Sequence, residues 1–108
     1  MQLEIAEIPY ESGAIKYRYS RYMSEDGSRW IRHGLFTAFH ENGTKASELH
    51  YEHGSEHGES IDFHSNGQMA AQGQYNEGKE HGLWRYWTAD GVEEPASEFE
   101  NGVEQDAK

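Results

Sequence analysis

The sequence HGLWRYWTADGVEEPASEFENGVE, residues 81–104, is the third consecutive copy of one 24-residue pattern. The first copy, HGLFTAFHENGTKASELHYEHGSE, spans residues 33–56, and the second, HGESIDFHSNGQMAAQGQYNEGKE, spans residues 57–80. Every copy opens with His-Gly, carries Asn-Gly or Asp-Gly in its middle, and has an aromatic residue and another glycine near its end. A fixed period of this length predicts a repeat architecture in which each unit packs only on its neighbours.

Each copy is predicted to form a β-hairpin, because Asn-Gly and Asp-Gly between strand-like runs favour a two-residue type I′ turn. The predicted turn pairs are Asn42-Gly43, Asn66-Gly67 and Asp90-Gly91. Counting outward from these turns pairs Gly34 with Tyr51, Gly58 with Tyr75 and Gly82 with Phe99. An aromatic ring is expected to lie over each of these glycines. The predicted fold is all-β, with tandem antiparallel hairpins forming one elongated, curved meander sheet.

The predicted sheet makes one domain, residues 1–108, with regular repeats at 33–56, 57–80 and 81–104. Residues 3–32 are interpreted as a degenerate capping repeat, with a turn at Glu11-Ser12-Gly13 between LEIAEIP and AIKYRYSRY. This repeat is six residues longer than the others and contains an additional Asp26-Gly27 turn, which is expected to lengthen or double the hairpin. Residues 105–108 are expected to form a frayed tail.

The composition alone would be typical of a disordered chain, since Leu, Ile, Val and Phe total 15 of 108 residues and the net charge is −11. The 14 aromatic residues argue against disorder, because they recur in register and can make a thin core. The absence of cysteine excludes disulfides and cysteine-based zinc sites. No apolar run is long enough to span a membrane, and the first residues lack a signal pattern. The sequence therefore predicts a soluble cytoplasmic protein without a cofactor.

The net negative charge of the chain comes entirely from residues 33–108. Residues 1–32 contain five basic and five acidic residues, whereas residues 33–108 contain four basic and fifteen acidic residues. Such a surface repels phosphate backbones and anionic lipids, so nucleic acids and membranes are not expected as partners. A protein with a basic surface is the expected partner, although acidic charge also serves simply to keep a thin sheet soluble.

The alternation of residues along each strand sorts the side chains onto two faces. The face that is expected to be packed contains Phe36, Leu49, Tyr51, Tyr75, Trp84 and Phe99, together with Ala38, Ala71 and Tyr86. The opposite face has an aromatic row surrounded by charged residues, and these are the candidate partner-binding residues: Phe39, Phe63, Trp87, Arg85, Glu48, Glu59 and Glu98. Two interpretations remain for this row: it packs on its own neighbours and stiffens the sheet, or it binds a partner.

Neither a metal site nor an active site is predicted. Equivalent histidines of successive repeats, such as His33 and His57, lie two strands or roughly 10 Å apart, which is too far to share one zinc ion. His53 and His57 lie in one loop and are the one pair that is expected to be able to hold a metal adventitiously. The chain has no nucleophile elbow, no cysteine nucleophile and no clustered phosphate-binding glycines, so it is not expected to be an enzyme.

The pattern G-x-W-x-x-W-x-x-D-G at residues 82–91, followed by an aromatic residue and Asn-Gly, resembles the MORN (membrane occupation and recognition nexus) repeat. It is most similar to bacterial variants with ENG or SNG turns. The resemblance covers residues 33–104 well and residues 3–32 weakly, and Ser60 departs from it because an aromatic residue is usual there. It implies consecutive antiparallel hairpins and a non-enzymatic binding role.

Many bacterial proteins with such repeats are described as antitoxins of the YwqK type. The resemblance therefore implies an immunity or antitoxin protein that neutralises a toxin or effector by direct binding. The alternative is a scaffold or structural repeat protein whose partner is not a toxin, and an enzyme or metalloprotein is the least favoured class. The open edges of the predicted sheet also leave an edge-to-edge homodimer open.

Overall fold

The computed structural model describes residues 2–105 and shows a single sheet of nine antiparallel strands. The strands are β1 (Glu4–Pro9), β2 (Ile15–Met23), β3 (Trp30–Phe39), β4 (Lys45–Glu52), β5 (Ser55–Phe63), β6 (Met69–Asn76), β7 (Lys79–Trp87), β8 (Glu93–Glu100) and β9 (Val103–Glu104). Their order in the sheet follows their order in the sequence. Residues 2–105 contain no helix. The predicted all-β meander is confirmed.

The sheet is elongated, with principal extents of 49 × 34 × 17 Å. One flat layer with its side chains is about 10 Å thick. The larger depth of 17 Å is consistent with the twist that strands impose on an open sheet. Both faces are uncovered, because the described residues form no second layer.

The predicted cross-strand pairing is confirmed in all three regular repeats. Gly34 pairs with Tyr51, Gly58 with Tyr75 and Gly82 with Phe99. The N-terminal segment forms the hairpin β1–β2, as expected. The turn of residues 24–29 lengthens the pairing of β2 with β3 and does not create an additional hairpin.

The expected turn type is wrong. In the first regular repeat, the Gly43 amide donates to the His40 carbonyl at 2.9 Å, and the His40 amide donates to the Thr44 carbonyl at 2.7 Å. Residues 41–43 therefore form a three-residue turn in which only the glycine has a positive φ. A bulge in the pairing between Ala38 and Phe39 offsets the additional turn residue. The register counted from a two-residue turn is correct for this reason.

The connections that follow the three regular hairpins are two-residue turns with a positive φ at both central residues. They lie at His53-Gly54, Glu77-Gly78 and Asn101-Gly102.

The expected ring over each opening glycine is also absent. A Cβ added at Gly58 or Gly82 would meet no atom within 4 Å, and one added at Gly34 would meet only Ser20. These positions require glycine because of their backbone conformation. Gly58 has a φ of +86° and lies in a β-bulge, where residues 57–59 of β5 lie opposite the single residue His50 of β4. The left-handed conformation of this bulge explains the glycine.

A ring does lie over a glycine at a different position, Gly73. A Cβ added there would lie 2.1 Å from the indole of Trp84. Trp84 is 4% exposed, and its Nε1 donates to the Gln74 carbonyl at 3.2 Å. The space left by Gly73 is thus taken up by the tryptophan of the following repeat. Ser60, the direct partner of Gly73 in β5, is 3% exposed although it departs from the aromatic pattern.

The core is thin and lies mainly on the face that was predicted to be packed. Phe36, Ser60, Ala71 and Trp84 are buried there, and Thr37 is buried on the opposite face. None of the described side chains is completely buried. A core of this size makes stability depend on a few large side chains.

The structure describes only the first residue of the predicted tail, Gln105. Val103 and Glu104 form β9, and the Gln105 amide donates to the Glu98 carbonyl at 2.7 Å. Residues 106–108 of the predicted tail lie outside the described residues.

Candidate functional site

The predicted partner-binding residues lie on one face, called here the second face. A row of directly paired residues crosses this face from β1 to β7: Glu7, Arg18, Thr37, Glu48, Ile61, Gln72 and Arg85. Phe39, Phe63 and Trp87 follow two residues after Thr37, Ile61 and Arg85 and are half-buried. The structure therefore brings the predicted aromatic row together, and Glu98 lies opposite Leu83 on the same face.

Much of this face is engaged by the chain itself. The guanidinium of Arg18 lies 5.5 Å from the ring centroid of Phe39, and that of Arg85 lies 5.1 Å from that of Trp87. Two bonds of 3.1 Å join Arg85 to Glu93, and this carboxylate raises the pKa of Arg85. These contacts favour the packing interpretation for the two outer rings, while Phe63 has no cation–ring contact among the described residues.

The carboxylates of the second face are partly paired as well. Glu48 accepts from Lys45 at 2.7 Å, and Glu59 accepts from Gln72 at 3.2 Å. Such exposed pairs contribute about 0–1 kcal/mol and exchange readily with a partner. Leu35 and Leu83 remain 44% and 57% exposed beside them. The second face thus presents apolar and acidic groups side by side.

His53 and His57, the pair that was expected to be able to hold a metal ion, have different neighbours. The Tyr22 hydroxyl lies 2.7 Å from His53 Nδ1, and the His53 amide donates to His33 Nδ1 at 3.0 Å. His57 Nε2 lies 3.6 Å from Glu52. His53, His57 and Glu52 line a shallow depression of about 490 Å³. Within residues 2–105, no three potential ligands are arranged to hold a metal ion.

The sequence interpretation missed the role of three other side chains. Tyr10, His40 and His64 each hydrogen bond to the backbone carbonyl of an aromatic residue in the next hairpin, namely Phe39, Phe63 and Trp87, at 2.7, 2.9 and 2.8 Å. These bonds link adjacent turns and hold the aromatic row in place. The recurrence of histidine at positions 24 residues apart was the available signal.

Two segments of the chain, residues 32–53 and 56–77, were each found to match a family model. That model is the MORN repeat variant. The matches overlap the first and second regular repeats, beginning one residue before and ending three residues before the predicted boundaries. No curated protein matches the chain. None of the described residues forms a helix that is long and apolar enough to cross a membrane.

The sheet shows a β-hairpin repeat module, and the matched segments show that its first two regular repeats are similar to the MORN repeat variant. MORN repeats are generally non-catalytic, and modules of this kind often bind other molecules. The candidate site is accordingly an extended sheet face, since a repeat sheet offers a broad binding surface and not a single enclosed pocket.

Proposed function

We propose that the chain is a non-catalytic module that binds a partner protein and neutralises it, as immunity and antitoxin proteins do. The observation that carries this proposal is an open sheet with two uncovered faces on a chain with a net charge of −11. A partner with a basic surface would be drawn to this sheet by long-range attraction and then held by apolar contacts. The proposed site of action is the cytoplasm.

The second face supplies the proposed anchors. Phe63 and Trp87 are half-buried rings on the same face as the exposed Leu83 and the carboxylates Glu59 and Glu98. The Arg85–Glu93 pair that packs on Trp87 is itself half-exposed, so a partner can replace it at little cost. Aromatic residues dominate the binding energy of many protein interfaces, while surrounding charges mainly affect the association rate. The proposed division of roles follows from this: charge accelerates encounter, and the rings slow dissociation.

Binding of the partner is expected to weaken as salt is added, mainly through a slower association rate, because salt screens charges separated by more than about 10 Å at 0.1 M. Trp87→Ala and Phe63→Ala are each expected to raise the dissociation rate about tenfold, in line with losses of 1–2 kcal/mol at aromatic anchors. Surface plasmon resonance against the purified partner measures both rates.

Trp30→Ala is the matched control, because Trp30 is 41% exposed and lies on the first face. Association that does not depend on salt would contradict the role of charge. If Trp87→Ala and Phe63→Ala bind as tightly as the parent, the second face does not supply the anchors.

A further inference from the structure

The first face, which carries Phe36 and Trp84, has a second regular feature between β4 and β9. Rings and carboxylates face each other directly across neighbouring strands: Tyr51 with Glu56, Tyr75 with Glu80, and Phe99 with Glu104. We call these six residues the ring–carboxylate row. Strands are spaced about 4.8 Å apart, so successive carboxylates of the row are roughly 10 Å apart.

The chain itself shows what such rings bind. Arg32 occupies the equivalent position of the preceding repeat, 24 residues before Glu56. Its guanidinium lies 4.8, 5.1 and 5.5 Å from the ring centroids of Tyr19, Phe36 and Tyr51. In the later repeats this cation is replaced by Glu56, Glu80 and Glu104. The rings remain, and the charge beside them changes from positive to negative.

The C-terminal part of the first face is therefore rich in acid and lacks a cation of its own. From β4 to β9, its described charged residues are all acidic: Glu56, Asp62, Glu80, Glu94 and Glu104. The cation–ring contacts of this face are made by Lys16, Arg21 and Arg32. All three precede β4. Tyr51 is already in contact with Arg32, whereas Tyr75 and Phe99 have no cation–ring contact among the described residues. These two rings can therefore accept an external cation, and the carboxylates beside them can neutralise it.

The electrostatic environment of Tyr75, at the centre of the row, agrees with this description. Burial, followed by the negative charges of Glu56, Glu80 and Asp62, raises the pKa of the Tyr75 phenol to about 12. Tyr75 also packs edge-on against Trp84, with ring centroids 5.2 Å apart. The ring is consequently fixed in a region of negative potential, which favours a cation over its face.

We propose that the ring–carboxylate row binds a basic amphipathic helix of the partner protein, with the helix lying across strands β4–β9. This inference rests on the proposed protein-binding function and adds a second contact surface, on the face opposite to Phe63 and Trp87, and the form of the partner segment that this surface binds. Arginine or lysine side chains of the helix pair with the carboxylates of the row and lie over the rings of Tyr75 and Phe99, as Arg32 lies over the ring of Tyr51. The apolar side chains of the helix contact the edges of the same rings.

The spacing of the row selects a helix. Residues seven apart in an α-helix lie on one face and are separated by about 10.5 Å, which matches the carboxylate spacing. Residues three or four apart lie roughly 5 Å along the same face and reach the intervening rings. An extended strand does not fit as well, because its side chains alternate between faces every residue.

A second copy of the chain is less suitable as the occupant. Two molecules that each carry a net charge of −11 repel each other, whereas a basic helix is attracted. The cations of this face in another copy, Lys16, Arg21 and Arg32, are already in contact with rings of their own chain. The described cations of this face lie in its N-terminal part, so they do not continue along the whole row.

The inference is tested with synthetic peptide helices and the full chain. The probe peptide has about 18 residues, with arginines seven residues apart and leucines between them. The control peptide has the same composition, but its arginines are five residues apart. This spacing rotates successive arginines by roughly 140° around the helix, so they do not share one face. Fluorescence anisotropy at low salt is expected to show the probe binding about tenfold more tightly than the control.

Two charge-matched variants locate the peptide. Glu80→Lys and Glu59→Lys change the net charge by the same amount, but Glu80 lies in the row and Glu59 lies on the second face. Glu80→Lys is expected to weaken probe binding about tenfold and Glu59→Lys less than about twofold, since contact pairs are lost only in the first case. Circular dichroism melts confirm that both variants fold, and the milder Glu80→Gln provides a second variant if Glu80→Lys does not.

Equal binding of the two peptides, or equal weakening by the two lysine variants, would overturn the inference. Weakening by Glu59→Lys and Trp87→Ala alone would move the helix to the second face and leave the proposed function standing. A dimer of the chain in sedimentation that is lost in Glu80→Lys would show that the row binds a second copy, which also overturns the inference. Failure of the proposed function itself would appear separately, as absence of neutralisation of the native partner.

Discussion

Replacing Trp84 with alanine is expected to lower the free energy of unfolding by about 3–5 kcal/mol, the usual range for a buried tryptophan. Trp84 is 4% exposed, packs against the rings of Tyr75 and Phe99, and covers Gly73. Few other side chains of this thin core can take its place. Urea denaturation monitored by circular dichroism measures the loss, and Trp30→Ala at a 41% exposed position is the control, with an expected loss of about 1 kcal/mol.

Gly73→Ala provides a second test of the same contact. The added methyl group would overlap the Trp84 indole, so the variant is expected to lose about 1–3 kcal/mol. The double variant Gly73→Ala, Trp84→Ala is expected to lose less than the sum of the two single variants, because the overlap disappears with the indole. Strictly additive losses would contradict the position of the indole over Gly73.

Replacing Gly58 or Gly82 with valine is expected to cost about 2 kcal/mol or more, because a β-branched residue is strained at positive φ. The φ angles are +86° and +78°. Ser55→Val and Gln68→Val introduce the same side chain at residues without positive φ, so their thermal midpoints are expected to fall much less. No ring lies over either glycine, so the cause is the backbone alone.

A further variant distinguishes backbone strain from a steric clash of the side chain as the cause of the lost stability. Gly82→Asn is expected to recover part of the stability that Gly82→Val loses, because asparagine tolerates the left-handed region better than valine. Equal thermal midpoints for all four valine variants would contradict the bulge at the opening glycines. Equal midpoints for Gly82→Asn and Gly82→Val would point to a steric cause that the described contacts do not contain.

The 24-residue period determined most of the fold. Strand order and the pairing of Gly34 with Tyr51 could be read from it, because every copy must pair in the same way. The turn type could not be predicted from the period, since a three-residue turn with a bulge gives the same register as a two-residue turn. The role of Gly58 was misread for a related reason: direct pairing shows which residues are neighbours, but it does not show where a ring points.

The candidate site was less accessible from sequence than the fold. Alternation along the strands correctly grouped Phe39, Phe63 and Trp87 on one face. The stacking of Arg18 and Arg85 on two of these rings depends on side-chain conformations that no sequence pattern specifies. The ring–carboxylate row, in contrast, was present in the aligned repeats as the change from Arg32 to glutamate in the later repeats. A binding role for the row could be inferred only from the structure, because the structure places the Arg32 guanidinium over the rings of Tyr19, Phe36 and Tyr51.

The central claim, that this acidic sheet binds a basic partner protein, is tested most directly by affinity capture from the native host followed by mass spectrometry. The capture is performed at low ionic strength and at about 0.5 M salt, where the Debye length falls to on the order of 4 Å. The expected result is a specific partner with a basic surface that is retained at low salt, is depleted at high salt, and loses its activity when the purified chain is added. A partner with an acidic surface, or one whose retention and activity do not change with salt and added chain, would contradict the claim.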